Sequence, residues 1–148
     1  MNRITLPNDI MLAEVTALLS EGRPVVIKAR GNSMLPFIRN DRDSVEIVRS
    51  DSYEVGDIVL SEIAAGKYVL HRLFRVEGEN ATLKGDGNLR GTESCRLADI
   101  SGKVRCIIRP SGRKISCGTR LFGIRSALWR KMPYFCRRVY LAIYRRLI

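Results

Sequence analysis

The sequence predicts a mainly β domain, α+β overall, with a β-rich core between one N-terminal helix and a basic helical C-terminal tail. Three observations carry this. Over residues 25–108, short runs rich in Val, Ile and Leu alternate with turns of Gly, Asn, Asp and Ser. Before them, apolar residues recur at helical spacing. After them the charge changes: residues 100–148 hold 13 Lys and Arg and no acid, whereas residues 1–99 hold 13 Lys and Arg against 15 Asp and Glu. The chain divides accordingly into an N-terminal helix (1–22), a core (23–110) and a basic amphipathic tail (111–148). At 148 residues and 45% hydrophobic content it has the size and composition of one folded domain.

The helix is expected over residues 8–21. Asn8 and Asp9 offer a cap, Ile10, Val15, Leu18 and Leu19 share an apolar side, and Gly22 fits the position just beyond its end. Six strands are expected, over 25–29, 44–48, 57–62, 67–76, 81–84 and 103–108, with Glu77-Gly78-Glu79-Asn80 as a hairpin turn. Pro110-Ser111-Gly112 reads as a linker. Beyond it, two basic helical segments flank Pro133, which cannot continue a helix.

Composition also excludes several classes. Asp9, Glu14 and Glu21 interrupt the first apolar stretch, so it does not read as a secretory signal. No run approaches the roughly 18 apolar residues of a spanning helix. A cytoplasmic location is therefore expected. Cys95, Cys106, Cys117 and Cys136 form no C-x-x-C pair and the chain has one histidine, so no metal or other cofactor is expected and the thiols should be free. The oligomeric state is left open.

Three short elements carry the chemistry. Gly31-Asn32-Ser33-Met34-Leu35-Pro36 follows a strand and places a serine on a tight turn. His71-Arg72 lies inside the strand over 67–76. A serine hydroxyl needs a base near neutral pH, and imidazole is the usual one. Lys84-Gly85-Asp86-Gly87-Asn88 follows the next strand, and its carboxylate could orient that imidazole. Taken singly, each is an ordinary turn or strand motif.

Together, in this order, they resemble the signal peptidase I family, and within it the endoplasmic-reticulum and archaeal branch that uses Ser-His in place of Ser-Lys. The nucleophile box is similar to Asn32-Ser33-Met34-Leu35-Pro36, and a following R-G-D stretch to Arg39-Asn40-Asp41. Val55-Gly56-Asp57-Ile58-Val59, Val69-Leu70-His71-Arg72-Leu73, Leu83-Lys84-Gly85-Asp86-Gly87-Asn88 and Gly102-Lys103-Val104 look like the family's later boxes. The resemblance spans about residues 25–108. It implies a β-rich peptidase core shared with LexA-like autopeptidases, a catalytic set of Ser33, His71 and Asp86, and a leader-type or signal-type peptide as substrate. Asn32, Ser33, Met34 and Pro36 are the residues it implies for oxyanion and substrate binding. Gly31 stands where many members carry a hydroxyl, so backbone N–H groups, chiefly that of Ser33, are the expected oxyanion donors. Many members also have a second aspartate after the G-D box; here Thr92 and Glu93 stand there, and Glu93 or a backbone carbonyl is the substitute orienter should Asp86 be only a turn residue.

The tail points to an anionic partner. Trp129 with Arg137, Arg138, Arg145 and Arg146 is expected to contact a membrane surface, with residues 134–148 lying as an amphipathic helix on the inner face of the cytoplasmic membrane. The competing expectation is a LexA-like regulator, or an inactive peptidase-like protein, that binds nucleic acid through this tail. A single helix in residues 1–22 is too little for a helix-turn-helix, so nucleic acid is the weaker expectation.

Overall fold

The computed structural model describes residues 8–148, with their side chains from Ile10 onward. Helix α1 (Asn8–Ser20) buries Met11, Val15 and Leu19, spaced four apart on one side. Gly22 closes it at φ 82°, its N–H donating to the Leu19 carbonyl at 2.9 Å. Ile10, expected on the apolar side, is exposed, and Met11 packs instead. The expected caps Asn8 and Asp9 have side chains outside the described ones.

The strands are β1 (Val25–Lys28), β2 (Ser44–Val48), β3 (Ile58–Ala64), β4 (Lys67–Glu77), β5 (Asn80–Lys84), β6 (Glu93–Arg96), β7 (Ile100–Ile108) and β8 (Lys114–Ser116). All pairings are antiparallel, in the order β1-β2-β7-β3-β4-β5-β6, with β8 added on β7. The six expected strands are all present. β6 and β8 are additions to the expected strands: ESCR and KIS have too little apolar alternation, and they form because β5 and β7 supply ready hydrogen-bonding edges. Pro110-Ser111-Gly112 is not a linker but the turn of the β7–β8 hairpin, closed by Arg109 N–H on the Arg113 carbonyl at 2.9 Å.

Two edges frame the functional region. β1 pairs with β2 alone among the described residues. The first half of β4 pairs only with β3, because β5 joins it from Arg72 onward. One core cluster joins α1, the inner faces of β1, β2, β3 and β7, and Phe122. A second lies between β3, β4 and β5 around Leu73 and Leu83.

Beyond β8, Thr119 caps α2 (Arg120–Lys131), its Oγ1 accepting from Phe122 N–H at 3.2 Å. Pro133 opens α3 (Tyr134–Leu147). α2 buries Phe122, Ser126 and Trp129, and α3 buries Leu141. Trp129 and Leu141 close a third cluster over Leu35. The tail therefore shares the core of residues 23–110 rather than trailing from it. Among the described residues no helix is long and apolar enough to cross a membrane. All four cysteines are free; burial pushes the Cys117 thiol up to about 12.

Candidate active site

The chain leaves β1 through Gly31 at φ 78° and enters a tight coil held by its own backbone. Phe37 and Ile38 N–H both donate to the Met34 carbonyl at 3.0 Å, and Gly31 N–H donates to Asn40 Oδ1 at 2.8 Å. Met34 and Leu35 point into the core and act as anchors, leaving Ser33 half-buried between them and solvent. Asp43 braces the base of this coil. Its carboxylate has no exposed surface and accepts from the Arg39 N–H, from Arg42 and from Arg109. Burial raises its carboxyl, but the hydrogen bonds from Arg42, Arg109 and the Arg39 N–H outweigh this and hold it below the usual value of 3.8.

Ser33 and His71 line one cleft of about 320 Å³, between the edge of β1 and the half of β4 that β5 does not cover. Met11 and Leu12 of α1 and Met34, Ile38 and Leu60 give it an apolar floor. Of the residues expected to bind substrate, Ser33 and Met34 line it. Asn32 and Pro36 do not; Asn32 instead accepts from Asn40 N–H at 3.4 Å and shapes the coil. The N–H groups of Ser33 and Met34 have no protein acceptor among the described residues.

Asp86 pairs with a side chain other than the expected one. Consecutive strand residues face opposite ways, and His71 and Arg72 obey this. His71, 7% exposed, sets Nδ1 against Glu93 Oε1. Arg72, 1% exposed, takes the opposite face and forks onto the Asp86 carboxylate, with Nε at 3.2 Å. Asp86 thus pairs with Arg72, and Glu93 is the carboxylate on the imidazole. Burial pushes the Asp86 carboxyl up, and the opposing charge of Arg72 offsets only part of that.

Arg72 is the residue that sequence reasoning passed over. Besides Asp86 it donates to the Gly56 carbonyl at 2.9 Å and to Ser126 Oγ of α2 at 3.0 Å, and it stacks over Phe37, 4.9 Å from the ring centroid. Three of the sequence boxes, around Gly56, Arg72 and Asp86, meet at this guanidinium. Its adjacency to His71 was visible; that it turns away from the cleft was not.

The glycines beside Asp86 have a positional reason. A Cβ on Gly87 would meet the Asn32 carbonyl at 2.5 Å, and one on Gly85 would collide with the Ser33 carbonyl. Gly87 N–H donates to that same Ser33 carbonyl at 2.8 Å. The G-D-G turn is therefore laid directly against the backbone of the Ser33 coil.

The site is a serine coil beside a strand-borne histidine on a β-rich core, and one comparison with known families bears on the whole chain. A family model described as Peptidase S24-like matches residues 3–105. The chain belongs to the Peptidase S24-like family. This S24-like match covers α1 and the sheet through most of β7, including Ser33, His71, Asp86 and Glu93, and it joins the chain to the superfamily of LexA and signal peptidase I. At the level of the family, a serine peptidase with a LexA-like fold follows. No curated protein matches the chain.

The expected membrane-contacting set also divides. Trp129 is buried and donates through Nε1 to the Asp86 carbonyl at 3.0 Å, so it is not available to a lipid interface. Arg145 reaches back to the Gly87 carbonyl at 3.3 Å, and Arg137 is half-buried. Arg138 and Arg146 are exposed.

Proposed function

We propose that this S24-like protein is a serine endopeptidase of the Ser-His type that cleaves leader-type or signal-type peptides on the cytoplasmic side. The observation that supports it best is the shared cleft of Ser33 and His71, with the Glu93 carboxylate on Nδ1 of the imidazole. Glu93, when ionised, can only accept, so it keeps the imidazole proton on Nδ1 and leaves the Nε2 lone pair for Ser33. The Ser33 Oγ–H proton passes to Nε2 as Oγ bonds to the scissile carbonyl carbon. The oxyanion is received by the Ser33 and Met34 N–H groups; losing one such donor typically raises the barrier by about 3 kcal/mol. Collapse breaks the C–N bond, the imidazolium returns its proton to the leaving amine, and water hydrolyses the acyl-enzyme. The substrate lies extended in the cleft, its backbone paired to the edge of β1 or of β4. The apolar floor favours apolar side chains next to the cleaved bond, and the free thiols suit a reducing compartment.

The test is labelling with a serine-reactive fluorophosphonate, followed by mapping of the adduct. Label on Ser33 that disappears in His71→Ala, together with cleavage of a leader-type peptide that disappears in Ser33→Ala, is the expected result. A protein that stays unlabelled and instead shifts duplex DNA in a salt-dependent way would favour the regulator, which the basic tail supports.

A further inference from the structure

Helices α2 and α3 turn apolar side chains away from the core on which they pack. On α2, Phe122, Ser126 and Trp129 face inward, while Leu121, Ile124 and Leu128 form an exposed stripe, Leu121 at 65%. On α3, Leu141 is the buried contact. Phe135, Val139, Ile143 and Leu147 recur every four residues and stand exposed, Phe135 at 69% and Leu147 at 80%. Val139 and Ile143 each lie two residues from Leu141, which at 3.6 residues per turn puts them on the opposite side of the helix. A helix that merely covered the core would bury this stripe. Here two continuous apolar stripes are left to solvent, more than scattered single residues.

Charge selects what covers it. The exposed side chains of Arg125 and Lys131 border the α2 stripe, and those of Arg138 and Arg146 border that of α3. None of these four has an ion-pair partner among the described residues, and no acid occurs between residues 100 and 148. A second copy would set the same unneutralised cations against each other. Nucleic acid would satisfy the arginines, but within the stripes Phe135 alone offers it a stacking plane, and the six Leu, Ile and Val side chains offer none. An anionic bilayer meets both needs, with acyl chains for the stripes and phosphates for their borders. We propose that the outer stripes of α2 and α3 are a docking face for an anionic lipid surface. The contact is the side opposite Leu141 and Trp129, and it stands independently of the nature of the Ser33 site.

The experiment is flotation of the full-length protein with vesicles of phosphatidylglycerol and phosphatidylcholine, against phosphatidylcholine alone, at low and high salt. Binding is expected to the anionic vesicles only and to weaken with salt. In Leu128→Asn/Phe135→Ser/Ile143→Asn the partition coefficient should fall by at least about tenfold. Arg138→Gln/Arg146→Gln should lower it by roughly tenfold on anionic vesicles. All these positions are exposed, so the near-ultraviolet circular dichroism of Trp129 should be unchanged, which separates loss of docking from loss of fold. Indifference to anionic vesicles at low salt overturns the proposal. So does undiminished binding by the apolar triple variant, or a dimer in sedimentation velocity that the triple variant dissolves.

Discussion

His71 and Arg72 are neighbours in sequence that work on opposite faces of β4, and this decides which carboxylate does what. Glu93→Gln keeps the size of the side chain but loses the charge that favours Nδ1–H and stabilises the imidazolium. Turnover is expected to fall by at least about tenfold, with KM and thermal midpoint little changed. Asp86→Asn should act on stability instead. It leaves Arg72 buried without its counter-charge, and breaking such a pair typically costs about 3–5 kcal/mol. Thermal unfolding of both variants beside their peptide-cleavage kinetics checks this. An Asp86→Asn protein with a native midpoint and no turnover, next to a fully active Glu93→Gln, would return Asp86 to the imidazole.

The coil bearing Ser33 depends on two elements that do not line the cleft. One is the G-D-G turn after β5. Gly87→Ala forces a Cβ against the Asn32 carbonyl, so either the turn or the coil must move. A displacement near 1 Å at the reacting centre can cost on the order of 100-fold in rate. Activity should therefore fall well beyond what the change in midpoint explains, measured as kcat against thermal stability in one preparation. The other is the Asp43 brace. Its carboxyl is lowered in the folded chain, so its stabilising contribution is present above the usual value of 3.8 and is lost as pH falls through the lower folded value. Asp43→Asn should be less stable than the parent at neutral pH, and the gap should narrow in acid below about pH 4. Midpoints of both proteins across that range give the answer; a gap that stays constant would mean that Asp43 acts through packing alone.

At the scale of the whole molecule, the basic tail is part of the domain and not an appendage. Phe122 joins the core of α1 and the sheet, Ser126 completes the coordination of Arg72, and Trp129 and Leu141 cover Leu35 just behind Ser33. Trp129 holds the Asp86 carbonyl, and the next residue, Gly87, holds Ser33. Removal of residues 119–148 should consequently lower the thermal midpoint markedly, since burial of even two of these large side chains is worth about 3–6 kcal/mol. It should also impair cleavage of a soluble peptide. A truncated protein with native stability and activity would show that the tail is only a membrane contact.

Residues 1–148 specify the strands of the core, the serine coil and the strand histidine by local rules: β-branched runs, turn residues at fixed offsets, and a hydroxyl beside Gly and Pro. These signals lie within a few residues of each other, so they can be read in one dimension. Glu93 was within reach for the same reason, as the acid standing where a second carboxylate belongs. Other features were decided only by folding. ESCR and KIS become strands because neighbours offer edges. Asp86 binds Arg72 because alternation along β4 puts that guanidinium, and not the imidazole, on its side. For α3 the helical period was legible, but not which side the core would take. The sequence suggested that Trp129 and the arginines meet the membrane; packing on Leu35 and Gly87 claims Trp129 and Arg145 and turns the aliphatic stripe outward. An amphipathic pattern states that a helix has two faces, and only the shape of the surface beneath it determines which one is buried.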